Sequence, residues 1–240
     1  MIQNAAQHTV GWYRARLGNI TGSNVGLLMK NGRSNVFSET GKSYLYQLAA
    51  ERVMNKNVIN DDDLFTEYLK QTEADSKAIR WGNEQEKNAR ELFAEITRNQ
   101  VVEIGSCKHP VIPNFASSPD GFFYDEHTGI KSCLEIKCPS QATYMRYKYD
   151  IYDNDSLLAV KPEYFYQCMS HMMCTGASET YFIAYNPFQA DPIHIVKIVP
   201  NEKVFAEIEK RVQLANDIIN LIINKKNGST TIDSNPRKRP

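Results

Sequence analysis

Several things are scarce in this 240-residue chain, and each scarcity excludes a class of protein. No apolar run approaches the roughly 20 residues that a membrane span requires. The opening stretch, MIQNAAQHTVGW, lacks the basic start and apolar core of a secretory signal, so a cytoplasmic or nuclear location is expected. Charge of one sign is not in excess: 28 Lys and Arg balance 28 Asp and Glu. Composition therefore announces no nucleic-acid partner, although an acidic metal site can offset a basic groove elsewhere. The five cysteines are odd in number and contain no C-x-x-C pair, which argues against a disulfide framework and against a four-thiolate zinc or iron–sulfur site. Cys133 and Cys138 flank one strand on opposite faces, and no further pair completes a set. Buried free thiols are expected instead. There is no internal repeat.

What is present is a normal hydrophobic content of 42%, in a length that suits one sizeable domain over residues 1–226. A polar tail follows over residues 227–240 (NGSTTIDSNPRKRP); its Arg237-Lys238-Arg239 cluster is a solvated end, a DNA contact or a nuclear address. The N-terminal half reads as helical. Thr21 or Ser23 can cap a short helix through Met29, and Leu45, Leu48, Ala49 and Val53 recur at helical spacing. A longer helix is predicted from Ser76 to Arg98, with Ile79, Ala89, Phe93 and Ile96 on one face. Short runs rich in β-branched and aromatic residues follow: Val101–Ile104, Phe115–Ser117, Phe122–Tyr124 and Cys133–Cys138. Pro162 starts a helix that Gly176 stops near Thr175. Strands Tyr181–Tyr185 and Ile193–Val199 come next. An amphipathic helix from Glu202 to Asn224 turns Phe205, Ile208, Val212, Ala215 and Ile219 inward. The order predicts an α/β fold, a central mixed β-sheet flanked by helices.

Three carboxylates and a lysine stand out. Asp120, between Ser118-Pro119 and Gly121, sits where a strand bends. Glu135 and Lys137 lie two apart in the apolar strand Cys133–Cys138, so they point the same way while Leu134 and Ile136 point the other. Buried charges are costly unless paired or bound to a metal. Acidic oxygens beside a lysine suit Mg²⁺. Alone, E-x-K has little specificity; joined to S-P-D-G about fifteen residues upstream, it marks a metal site. Glu86 falls on the apolar face of its helix, whereas Glu84, Lys87 and Arg90 are free to face solvent. It is a third acid near the metals or a carboxylate reaching out from the core edge. Gln167 shares a stripe with Tyr164, His171 and Cys174, and is a site residue or a satisfied polar neighbour.

In order along the chain, W-Y-R-A-R-L-G-N-I-T-G-S (12–23), R-W-G-N-E-Q-E (80–86), S-S-P-D-G (117–121), L-E-I-K-C-P (134–139), the Tyr164–Gln167 helix and Tyr185-Asn186-Pro187 resemble the lambda-exonuclease and YqaJ-type viral recombinase family. Its members are PD-(D/E)XK nucleases with a restriction-endonuclease-like core. The resemblance implies a 5′→3′ exonuclease on linear double-stranded DNA that leaves 3′ single-stranded ends for recombination by a single-strand annealing protein. It implies Asp120, Glu135 and the Ile136 backbone carbonyl as ligands of Mg²⁺, with two ions and Mn²⁺ as a substitute. Lys137 would activate the attacking water, with Glu86 at the second metal and Gln167 positioning the site. Arg16, Ser23 and Ser118 would hold the 5′-phosphate, Arg33 would contact DNA, and Ile79 would wedge the strands apart or simply fill the core. The Tyr144–Tyr152 stretch, with Arg146 and Lys148, would contact DNA or form a trimer or lid surface. Family members form ring-shaped trimers. A phage-encoded member would work in the host cytoplasm, one from a eukaryotic virus in the nucleus. An endonuclease or repair nuclease of the same fold, and a non-catalytic DNA-binding protein, are the alternatives.

Overall fold

The computed structural model describes residues 5–33, 36–72, 76–125 and 128–227. Six helices and a short strand fill the N-terminal part: α1 (Val10–Arg16), β1 (Ile20–Thr21), α2 (Gly22–Leu28), α3 (Glu39–Arg52), α4 (Lys56–Asn60), α5 (Asp62–Thr72) and α6 (Lys77–Thr97). Then come β2 (Cys107–Lys108), β3 (Phe115–Ser117), β4 (Gly121–Tyr124) and β5 (Lys131–Lys137). The chain continues through α7 (Gln141–Asp150), α8 (Asn154–Val160), α9 (Pro162–Thr175), β6 (Glu179–Tyr185), β7 (Ile193–Ile198) and α10 (Glu202–Asn227).

The main sheet has the order β4-β5-β6-β7. Its central pair, β5 and β6, is parallel, aligned from Ser132 opposite Glu179 to Lys137 opposite Ala184, with antiparallel neighbours on both sides. A parallel pair needs a crossover, and α7, α8 and α9 supply it. Pro162 opens α9 with a fixed φ and no wasted donor, and Gly176 closes it in the left-handed conformation, φ 72°. On one sheet face α9 buries Phe165, Cys168 and Met172 with Cys133 and Phe182 of the strands. On the other, α6 buries Ala89 and Phe93 against Leu134, Ile136 and Ile183. Burying Phe93 there is worth about 1.5–3 kcal/mol. Covered on both faces, β5 has no exposed interior residue, which is why it reads as an apolar run interrupted only by Ser132 and Glu135 before it ends at Lys137. The smaller sheet, β1-β3-β2, places β1 parallel to β3 and so brings α2 down onto α9.

The expected strands around 115–117, 122–124, 133–138, 181–185 and 193–199 are all present. Val101–Ile104 is not a strand: only Val102 bridges Phe122. On α6 the expected apolar face is buried at Ala89 and Phe93 alone, whereas Ile79 and Ile96 are 42% and 54% exposed. Val53 is also exposed, beyond the end of α3. On α10, Ile208, Val212, Ala215 and Ile219 are buried and Phe205 is half-buried. Residues 228–240, most of the expected tail, lie outside the described residues. Among the described residues no helix is long and apolar enough to cross a membrane.

Candidate active site

Three segments converge at the end of β5. Asp120 enters just before β4, and its backbone amide donates to the Leu134 carbonyl. Its Oδ2 accepts from the Ile136 amide at 2.6 Å, so the β4–β5 ladder itself fixes this carboxylate. Glu135 is fully buried; Oε1 faces the Lys137 ammonium in an ion pair that lacks regular hydrogen-bond geometry, and Oε2 lies 2.6 Å from His171 Nε2. Lys137 also lies 5.1 Å over the ring of Tyr164 on α9. Glu86 arrives from α6 and pairs with Arg90, one turn on, at 3.2 Å.

Arg90 was expected to face solvent. Instead it turns inward, because three acceptors await it: it bonds the Asp120 carbonyl oxygen as well as Glu86, and Glu103 at 3.1 Å. Gln7 extends this brace, donating to Glu103 and to the Pro119 carbonyl. Arg90, Gln7 and His171 are the residues that reading the motifs missed. Two of them had a signal, since each follows a singled-out residue (Glu86, Gln167) by four positions on a helix and so shares its face.

Electrostatics sharpen the picture. Burial, then the negative charges of Glu135 and Glu86, push the Asp120 carboxyl well above its ordinary value. Burial also raises Glu86, with Arg90 opposing. Burial would raise Glu135 too, but Lys137 and His171 outweigh it and hold it below the usual carboxylate range. Burial disfavours the Lys137 ammonium, yet Glu135 and Asp120 prevail and hold it protonated above its ordinary range.

A single cleft of about 530 Å³ collects most of the expected residues: Arg16, Ser23, Ile79, Glu86, Ser118, Asp120, Ile136, Lys137 and Gln167 all line it. Glu135 lies behind its wall. At the outer end, the Arg16 guanidinium stacks 4.0 Å over the ring of Trp12 and donates to Ser23 Oγ at 3.3 Å, while Trp12 Nε1 donates to Ser118 Oγ at 3.2 Å. Trp12 is thus the pillar of this corner. Thr9 caps α1 by accepting from the Trp12 amide, which fixes the helix that carries both residues. Gly22, between Thr21 and Ser23, lies so close to β3 that a Cβ there would meet Ser117 Oγ at 2.1 Å. Ile79 stands on the cleft wall, exposed, so it does not fill the core. Arg33 is exposed and does not line the cleft. Of the Tyr144–Tyr152 stretch, Tyr144 and Tyr147 are buried, whereas Tyr149 and Tyr152 are 75% and 72% exposed.

Among the described residues no three His, Cys, Asp or Glu side chains stand at ligating spacing. Asp120 Oδ2 is turned to an amide, and Glu135 to Lys137 and His171. The donor chemistry nevertheless fits a hard divalent cation. Two carboxylates, Asp120 and Glu86, line the cleft with Glu135 directly behind its wall; burial and the neighbouring negative charges raise Asp120, and Glu135 Oε1 lacks a regular donor. The four buried thiols (Cys107, Cys133, Cys168, Cys174) are free, and burial raises all of them.

Residues 11–178 match the YqaJ-like viral recombinase domain. The chain belongs to that family. An alkaline exonuclease from Laribacter hongkongensis is 27% identical and superposes with a TM-score of 0.71, covering 91% of this chain and 96% of that one. The same exonuclease solved in complex with dAMP gives the same values. A phage-related exonuclease from Haemophilus somnus 129PT shares 13% identity at a TM-score of 0.61, over 87% of this chain and 96% of that one, a likeness of fold alone. No curated protein matches by sequence. The family fold is the expected restriction-endonuclease-like PD-(D/E)XK core, a mixed sheet between helices.

Proposed function

We propose that this YqaJ-family chain is a divalent-metal-dependent exodeoxyribonuclease that degrades linear double-stranded DNA in the 5′→3′ direction. One observation carries the reading: acids and a lysine suited to phosphodiester hydrolysis share a cleft with Arg16, Ser23 and Ser118, donors suited to a phosphate. The exonucleases it resembles support the reaction class.

Residues 1–226 form the catalytic domain. Mg²⁺, or Mn²⁺ in its place, would be held by Asp120, Glu135, the Ile136 carbonyl and Glu86, and when bound supplies positive charge at the reacting phosphate. Water attacks phosphorus, and the bond to the 3′-oxygen of the terminal nucleotide breaks. Lys137, beside Glu135 and Asp120, orients and activates the attacking water, whose proton passes to solvent, and stabilises charge developing on the phosphoryl oxygens. Gln167, on the cleft wall, positions the scissile group. The shortened strand keeps a 5′-phosphate, the group Arg16, Ser23 and Ser118 are built to receive, so each cycle regenerates its own substrate. Ile79 stands at the duplex end, and Arg33 is a peripheral DNA contact. The 3′ single strand left behind is the substrate of an annealing protein, and a homotrimeric ring is the assembly by which the family resemblance keeps DNA enclosed.

Digestion of linear duplex labelled at either end, with and without a 5′-phosphate, tests this directly. Loss of 5′ label as mononucleotide, faster on phosphorylated ends, is expected, with closed circular duplex left intact. Efficient cutting of the circle would instead identify an endonuclease.

A further inference from the structure

Behind Glu135 lies a hydrogen-bonded chain that the reaction above does not use. His171 is fully buried on α9; its Nε2 lies 2.6 Å from Glu135 Oε2 and its Nδ1 lies 2.7 Å from Ser117 Oγ. Neither Glu135 nor His171 lines the cleft. An ionised carboxylate only accepts, so Nε2 carries the hydrogen and donates it. Nδ1 shares a hydrogen bond with the Ser117 hydroxyl. Ser117 in turn is buried on β3, beneath Gly22.

We propose that His171 is a positioning residue of the active centre: by holding Oε2 it fixes the plane of the Glu135 carboxylate, so that Oε1 stays directed at Lys137 and the divalent ion. The physical case is one of degeneracy. A buried carboxylate with one charged partner can rotate about its last torsion and exchange its two oxygens. A second, rigid donor on the opposite oxygen removes that freedom. The ring is itself held at both nitrogens, so the restraint runs from β3 through α9 into β5. Groups one step behind a metal ligand commonly contribute about 10–100-fold in metal affinity or activity. The proposal rests on the nuclease reading.

The test compares His171→Ala, His171→Asn and His171→Gln with wild type in Mn²⁺ binding by the isolated protein, followed by electron paramagnetic resonance, and in steady-state digestion of linear duplex. The terminal amide nitrogen of Gln reaches close to where Nε2 lies, and that of Asn only to where Nδ1 lies. The Ala and Asn variants should bind Mn²⁺ about 10–100-fold more weakly and lose a comparable factor in kcat with little change in KM for DNA, while Gln restores most of both. Equal loss in all three, or wild-type Mn²⁺ affinity in Ala and Asn, overturns the proposal. Should His171→Ala fail to fold, Ser117→Ala leaves the imidazole in place and frees only Nδ1. It should show a smaller loss of Mn²⁺ affinity in the same direction, and no loss there and in His171→Asn overturns the idea. Wild type that digests DNA and binds Mn²⁺ alongside unaffected variants removes this inference alone. Wild type that does neither removes the nuclease reading and this one with it.

Discussion

The two ends of the cleft are built in opposite ways. At the inner end Asp120 and Glu135 are 8% and 0% exposed, and each is held by the sheet or by a buried partner. At the outer end Arg16 and Ser23 are half-buried and exposed, and they depend on one another and on Trp12. The inner group inherits the stiffness of a four-stranded sheet. The outer group sits on the last turn of one short helix and the first turn of another. The proposed function would thus place chemistry on the rigid part and end recognition on the adjustable part.

Substitutions at the inner end should have the largest effects. Lys137→Ala should lower kcat roughly 10³-fold, the upper range for deleting one preorganised charge donor, with KM for DNA little changed. Undiminished turnover on a linear duplex would move the chemistry elsewhere. Arg16→Ala sharpens the contrast from the other side. It should raise KM for 5′-phosphorylated ends about tenfold, the worth of one charge-assisted hydrogen bond, and leave 5′-hydroxyl ends nearly unaffected. Equal losses on both kinds of end would show that the corner does not read phosphate.

Thermal melting isolates what the inner end costs the fold. A carboxyl whose folded pKa is raised weakens folding once it ionises, so with metal chelated the Asp120 contribution is fullest at acid pH and is lost as pH rises through the folded value. Asp120→Asn should therefore melt higher than wild type at pH 8 in EDTA, by about 2–4 °C for each kcal/mol recovered, while destroying activity. A lower melting temperature would mean that the Ile136 amide bond outweighs the crowding. The smallest effect concerns Cys138. Burial, then Glu86 and Asp120, push its thiol up to about 12, so it stays protonated at pH 8 although it borders the cleft. Alkylation of the native protein should be far slower than of the denatured chain, as mass spectrometry would show.

The same contrast explains what could be read in advance. The meeting of Glu135 and Lys137 was legible because charges at spacing two in an apolar strand share a face and, when buried, need a partner or an ion. Arg16 and Ser23 were not: an arginine and a serine on short helices look like any surface pair, and only the family motif singled them out. Helices α1, α4, α5, α7 and α8 went unread because seven to eleven residues, or five in α4, give too few turns for a period to show. The exposed Ile79 and Ile96 have a geometric cause. With 21 residues, α6 is about 31 Å long. The seven residues of β5 span about 23 Å, so the helix is longer than the strand it packs on, and Ile79 and Ile96 near its two ends stay exposed.

Position 22 accommodates nothing larger than a hydrogen. The first turn of α2 therefore rests with its bare backbone on the Ser117 hydroxyl and the Ser170 side chain. The spacing of α2 from β3 and α9 at this point is set by two short serine side chains. A single methyl there would have to displace Ser117, and with it the hydroxyl that meets His171 Nδ1.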